Sequence, residues 1–189
     1  MKKKGRGILL FTAFAVLFVC VAARATTLMQ MSVAEMTRAA DVVVRARCLA
    51  NATGWDAGEI WTFTKFETED VWKGAPPRVI TVRLLGGRTE NLTSTVDGVP
   101  RFQPGEDVVL FLEPIARGDF SIVSWMQGTF RVRRDRNTGV ESVTQDTATF
   151  ATFDSSTRRF EASGIRDMRL DALRGQVVAA MNDTDARNP

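Results

Sequence analysis

Polar and apolar residues alternate through much of this chain, with a long apolar run near its start, a shorter one in its middle and a helical period near each end. From Asp41 to Leu49, Val42, Val44, Ala46 and Cys48 fall on one side and Arg45 and Arg47 on the other, which predicts a half-buried strand. Ile60, Thr62, Thr64, Phe66 and Thr68 oppose Lys65, Glu67 and Glu69 in the same way, a second and longer strand. Further strands are expected at Arg78 to Leu85, Asp107 to Glu113, Asp119 to Met126 and Thr129 to Arg133. Val108 to Leu112 is apolar without a break, so its strand should be the most buried of all.

Turn residues punctuate these runs. Asn51 to Gly58 reads as a loop and Val71 to Pro77 as a turn, with Gly74 for backbone freedom and two prolines that forbid further pairing. Gly86-Gly87 lacks the additional glycines and the helix start of a phosphate loop and reads as a bulge or turn. The long polar stretch Arg88 to Gln103 predicts a small hairpin around Asp97-Gly98. Pro104-Gly105 then turns the chain into the apolar strand.

Two segments follow a helical rather than a strand period. Ser32 and Glu35 have the spacing of a capping box and Met31 and Met36 that of a hydrophobic staple, predicting a short helix from Val33 to Ala40. Leu170, Leu173, Val177 and Met181 predict a C-terminal amphipathic helix, weakened somewhat by Gly175, that packs on the strands. The fold class is therefore mainly β with a short N-terminal and a C-terminal helix. Its boundaries are residues 1–25 as leader, 26–181 as one domain and 182–189 as a loose polar tail.

The leader rests on three features. Lys2, Lys3, Lys4 and Arg6 precede an apolar run from Ile8 to Ala22, and Ala23-Arg24-Ala25 ends it as a small-x-small cleavage pattern. The run is shorter than the roughly 18 apolar residues of a spanning helix, so a cleaved signal peptide is favoured over a retained anchor. Phe18 and Val19 are too bulky for Cys20 to begin a lipoprotein, and no arginine pair marks a twin-arginine route. An extracytoplasmic destination, periplasmic or secreted, follows. The two Asn-x-Thr sequons at Asn51 and Asn91 are assigned to chance, because the short lysine leader points to a bacterium.

Cleavage changes the composition. Five of 25 basic residues leave with the leader and none of 22 acidic ones, so 20 remain against 22, a formal charge of −2. The basic character of the whole chain thus belongs to its leader, and binding to nucleic acid or an anionic membrane loses its support. Cys48 alone survives, on an apolar face where it reads as a small buried hydrophobe. Histidine and tyrosine are absent and the only remaining lysines are Lys65 and Lys73, which excludes a Ser-His-Asp or Cys-His site and any zinc site built on imidazole. Neither a cofactor loop nor a metal-ligand spacing is found. Glu67, Glu69 and Asp70 are the densest carboxylates; acids one pleat apart cannot flank a scissile bond, and a solvated outer face accounts for them better than a calcium site. Arg131, Arg133, Arg134 and Arg136 form the one basic cluster, read as outward-facing residues of a strand running into the Asn137-Thr-Gly139 turn rather than as an anion site.

The order of these features, a helix, then "ADVVVRARC", "WTFTKFETEDVWKG", a strand ending in "GG", and "FQPGEDVVLFL", resembles a family of uncharacterised secreted bacterial domains. It is also similar to the OB-like barrel of netrin and tissue-inhibitor-of-metalloproteinase modules, over roughly Ser32 to Val132. The resemblance implies a small OB-like antiparallel β-barrel. It does not carry over the inhibitors' mechanism, which uses an N-terminal cysteine on a disulfide-linked segment, whereas the expected first residue here is Thr26.

In such barrels the face of strands 2 and 3 and the loops after the first and fourth strands meet ligands. Here those loops are Asn51 to Gly58, carrying Trp55, and Glu113 to Gly118. Trp55 either anchors a contact or folds back over the barrel mouth. The expected function is a non-enzymatic binding or adaptor module acting on a protein or cell-envelope partner. The alternatives are a hydrolase using two carboxylates, drawn from Glu67, Glu69, Asp70 and Glu90, and a purely structural envelope protein.

Overall fold

The computed structural model describes residues 30–149, 152–154, 158–161 and 164–185. The leader with its cleavage site at Ala23 and Ala25, and the final residues of the expected tail, lie outside them. Helix α1 (Val33–Ala39) starts where the Ser32 hydroxyl accepts the Glu35 N–H at 3.2 Å and the Glu35 carboxylate accepts the Ser32 N–H at 2.7 Å. It ends as Ala40 turns extended. The carbonyls left over at that end accept from Lys73, whose Nζ donates to Thr37 O at 2.7 Å and Ala40 O at 2.6 Å. Lys73, read from sequence as a turn residue, is therefore a helix cap supplied by another element.

Strands β1 (Val42–Asp56) and β2 (Glu59–Lys73) form one long antiparallel hairpin, and β3 (Val79–Leu85) lies along β2. A short hairpin of β4 (Gly87–Arg88) and β5 (Thr93–Ser94) follows. β6 (Asp107–Pro114), β7 (Phe120–Ile122), β8 (Thr129–Arg134) and β9 (Glu141–Gln145) continue the main sheet. A second small hairpin pairs β10 (Thr152–Asp154) with β11 (Arg159–Glu161). β12 (Met168–Arg169) pairs with β9 and leads into helix α2 (Leu170–Asp185).

The strand order is β1-β2-β3-β7-β6-β8-β9-β12, and β1 pairs a second time, over Val42–Arg47, with β6. The pairings β1, β2, β3, β7 and β6 thus return to β1. One of them departs from the antiparallel expectation. β7 reverses from β6 after a 3-10 turn at Ala116–Gly118, so at Val82 and Phe120 it runs with β3 rather than against it.

Alternation along β1 and β6 feeds two cores rather than one. Val42, Val44, Ala46 and Cys48 join Phe66, Leu110 and Leu112 on the inner side. Val43, Val109 and Phe111 point the other way and pack with Met36, Trp72, Phe130, Leu173 and Val177 beneath the helices. Val108 through Leu112 are each fully buried, so the uninterrupted apolar run is explained by a strand covered on both faces. Each large side chain so withdrawn from water contributes about 1.5–3 kcal/mol.

Several boundaries differ from the sequence expectation. Asn51–Asp56 is strand rather than loop. Its small and polar residues have weak strand preference of their own, but each pairs with a residue of β2 as far as the two-residue turn Ala57-Gly58, where both φ angles are positive (51° and 84°). Val71 to Lys73 continues β2, with Trp72 buried, and the turn begins only at Gly74. The hairpin expected at Asp97-Gly98 is centred instead between Arg88 and Thr93. The strand expected over Asp119 to Met126 stops at Ile122, because Ser124 and Trp125 both take φ 51°, which breaks the extended run. At the C-terminus the helix continues to Asp185, so the first residues of the expected tail are helical.

Candidate functional site

The far end of the β1–β2 hairpin is built by the turn at Ala57-Gly58, which sets Trp55 directly opposite Ile60. Ile60 is buried, whereas Trp55 keeps 60 % of its surface exposed. Trp55 therefore extends outward from a strand rather than from a loop. Among the described residues its ring makes no aromatic or cation–π contact.

The same end is braced on its other face. Arg83 of β3 places its guanidinium 4.7 Å from the ring centre of Trp61 and 5.2 Å from that of Phe63, and it pairs with Asp56. Arg117 reaches Asp56 from the opposite side at 4.0 Å. Trp61 is thus engaged within the fold, and Asp56 is neutralised. Around Trp55 itself Ile60, Leu85, Leu92 and Val96 form an open depression of about 260 Å³. Leu92 is half exposed, at 51 %. Small-molecule sites occupy roughly 300–1,000 Å³. A depression of this size and openness suits one large side chain of a partner better than an enclosed ligand.

Charges dominate a different region. Arg45 donates to both oxygens of Asp107, from Nη2 to Oδ2 at 2.6 Å and from Nε to Oδ1 at 3.1 Å, and to both oxygens of Glu141, at 3.0 and 2.9 Å. Glu69 stands 3.6 Å from the Arg45 Nε and accepts from Arg47 at 2.7 Å. Hydrogen bonds to Asp107 and Glu141 hold the Arg45 guanidinium even more firmly protonated than usual, and the bond from Arg45 pulls the Glu141 carboxyl below its ordinary range. A neighbouring cleft of about 600 Å³ is lined by Arg134, Arg169, Arg174, Asp70 and Asp171. Within it Asp70 takes Trp72 Nε1 at 2.9 Å and Arg174 at 3.2 Å, and Arg169 binds Asp171 at 2.7 Å.

The carboxylates named from sequence are therefore separated among arginines. Glu67 pairs with Arg78 at 2.9 Å, Glu69 with Arg45 and Arg47, and Asp70 with Arg174, while Glu90 is exposed in the β4–β5 turn. Two-carboxylate hydrolysis needs a proton donor facing a free base across the substrate. Glu67, Glu69 and Asp70 are held in ion pairs, and Glu90 has no such pair among the described residues. Cys48 is buried in the inner core, and burial pushes its thiol up, away from the reactive thiolate. Lys65 is exposed on β2.

The basic cluster divides. Arg134 and Arg136 face outward, but Arg131 turns in, against the expectation. It bonds Asp146 twice at 2.8 Å, pairs with Glu106 and lies 4.7 Å over the Phe102 ring. Sequence reasoning also missed Leu92 and Val96, which complete the wall around Trp55. Their signal was slight: two apolar residues in a polar stretch, brought to Trp55 by the unexpected hairpin. No family model matches the chain, and no curated protein matches it in sequence.

Proposed function

We propose that this protein is an exported, non-enzymatic binding or adaptor module of the bacterial cell envelope, and that it meets its partner through the surface around Trp55. The observation carrying this reading is the half-open apolar depression in which Trp55 and Leu92 remain exposed on a braced hairpin end. A large aromatic residue held outward on rigid backbone is the kind of anchor on which binding energy concentrates. The pairing of Glu67, Glu69 and Asp70 with arginines supports binding over hydrolysis. The pairings that return from β6 to β1 support an OB-like barrel of five strands, extended by β8, β9 and β12. The leader of residues 1–25, with its small residues at Ala23 and Ala25, supports delivery outside the cytoplasm.

A photoreactive p-benzoylphenylalanine placed at position 55, with Lys65 as the control position, tests this in living cells. An adduct formed from position 55 and absent from 65 is expected; adducts at 65 with none at 55 would overturn the assignment. Mass spectrometry of the exported chain should find Thr26 at its N-terminus, and Met1 on the mature protein would sink the claim of cleavage.

A further inference from the structure

A second depression, of about 320 Å³, adjoins the one at Trp55, and the two share Ser94. Asn51, Thr53, Thr62, Arg88 and Arg101 line it, and no carboxylate does. Among the described residues Arg101 donates only to neutral oxygens, Leu85 O at 3.0 Å, Gly86 O at 3.3 Å and Thr62 Oγ1 at 3.4 Å. Neither Arg101 nor Arg88 has a carboxylate partner among the described residues, whereas Arg45, Arg83 and Arg131 each have at least one. Arg101 and Arg88 both reach the surface, and partial desolvation weakens the hold of Arg101 on its proton. An anionic group entering here would supply the missing charge.

Both depressions take a wall residue from the outer half of β1: Thr53 in one and Trp55 in the other, two positions apart and so on one face of the strand. The strand's outer edge is open there. β6 pairs only as far as Arg47; Cys48 O then accepts Gly105 N at 2.8 Å and the Asn51 side chain reaches Phe102 O at 2.8 Å. Beyond these no strand pairs with the backbone of β1 among the described residues, while β4 packs over its face, with Gly87 against Thr53 and Thr62. Ile60, the partner of Trp55, directs its carbonyl to Gly86 N at 2.6 Å, away from β1. Trp55 and Ile60 are therefore a non-hydrogen-bonded pair, and by the alternation of an antiparallel ladder the N–H and C=O of Trp55 and of Thr53 face the open edge. Residues 50–56 hold no lysine, arginine or proline to guard that edge.

We propose that the outer edge of β1, from Asn51 to Asp56, receives an extended polypeptide segment as an added strand. The segment carries an acidic side chain seated at Arg101 and Arg88 and, two residues away, an apolar side chain seated between Trp55 and Leu92. This rests on the binding-module reading and names its partner: a peptide of pattern acid-x-apolar. Backbone pairing supplies register, and the two depressions supply selectivity.

The probe is a set of synthetic nine-residue peptides with one Glu and one Leu, one, two or three positions apart, and a matching set with Lys for Glu. Fluorescence anisotropy with the leader-free chain should favour the Glu-x-Leu spacing, with roughly tenfold weaker binding when the spacing changes or Lys replaces Glu. Arg101→Glu should reverse the preference to Lys-x-Leu, a result that damage to the fold cannot give. Thr53→Pro removes an outward donor while leaving the β2 side paired, and it should abolish peptide binding with an unchanged melting curve. Indifference to charge and spacing, or no reversal in Arg101→Glu, overturns the proposal. So does a concentration-dependent dimer that Thr53→Pro dissolves without any peptide binding, which would assign the edge to a second copy. If the crosslink at position 55 forms while Arg101→Glu leaves it intact, the binding surface stands and only this mode of occupation falls.

Discussion

The two ends of the β1–β2 hairpin use similar residues to opposite effect. Near the start of β1, Arg45 is enclosed by Asp107, Glu141 and Glu69, and it joins three strands that are distant in sequence. Near the turn, Arg83 and Asp56 hold the backbone while Trp55 and Leu92 remain uncovered. One end spends its polar groups on itself and the other keeps its apolar groups available. Abundant charge is therefore a poor guide to function in this chain. The place where a side chain of high binding potential has no internal partner is a better one.

Substitutions can break that contrast or sharpen it. Arg45→Met should have the largest effect, since it leaves Asp107 and Glu141 without their cation; with about a fifth of the arginine still exposed, a loss of roughly 2–3 kcal/mol is expected in urea unfolding. A loss below about 0.5 kcal/mol would show that the network is surface decoration. Arg83→Met should cost roughly 1–2 kcal/mol, because stacking on two rings and the pair with Asp56 go together. If it costs nothing, the hairpin end is not braced as described.

Acid should weaken the charged end. Glu141 has its folded pKa lowered by Arg45, so its contribution is present above the ordinary glutamate range and is lost as pH falls from there through the depressed folded value. Stability measured from pH 6 downward should begin to fall near about pH 4, and Glu141→Gln should flatten part of that slope. An identical slope in the variant would remove Glu141 from the account. The smallest change is expected for Trp55→Ala, within about 0.5 kcal/mol of the parent, since its ring has little to lose on exposure. A melting temperature well below the parent's would mean that Trp55 is a structural residue after all.

What could be read in advance followed the locality of the cause. The alternation of Val42 to Cys48 and the apolar run Val108 to Leu112 are written in adjacent residues, and the strands lie where those patterns put them. The strand character of Asn51–Asp56 is imposed by Glu59–Thr64 across the turn, and nothing in Asn-Ala-Thr-Gly announces it. Arg131 looked like a surface cation because Glu106 and Asp146 lie 25 and 15 residues away and only the fold brings them beside it. Trp55 could be singled out from sequence. Whether it covered the fold or stood clear depended on Leu92 and Val96, placed by a hairpin whose position its own turn residues did not mark.

The sharing of β1 and β6 between two cores has a consequence for how the molecule opens. Neither strand has a solvent face along Val42–Val44 or Val108–Leu112, so peeling either would empty both cores at once. Amide protons of these segments should exchange with deuterium only through global unfolding, while those of the outer half of β1 exchange by local opening. The hairpin arm can thus breathe, accept or release a strand, while the rest of the domain stays folded.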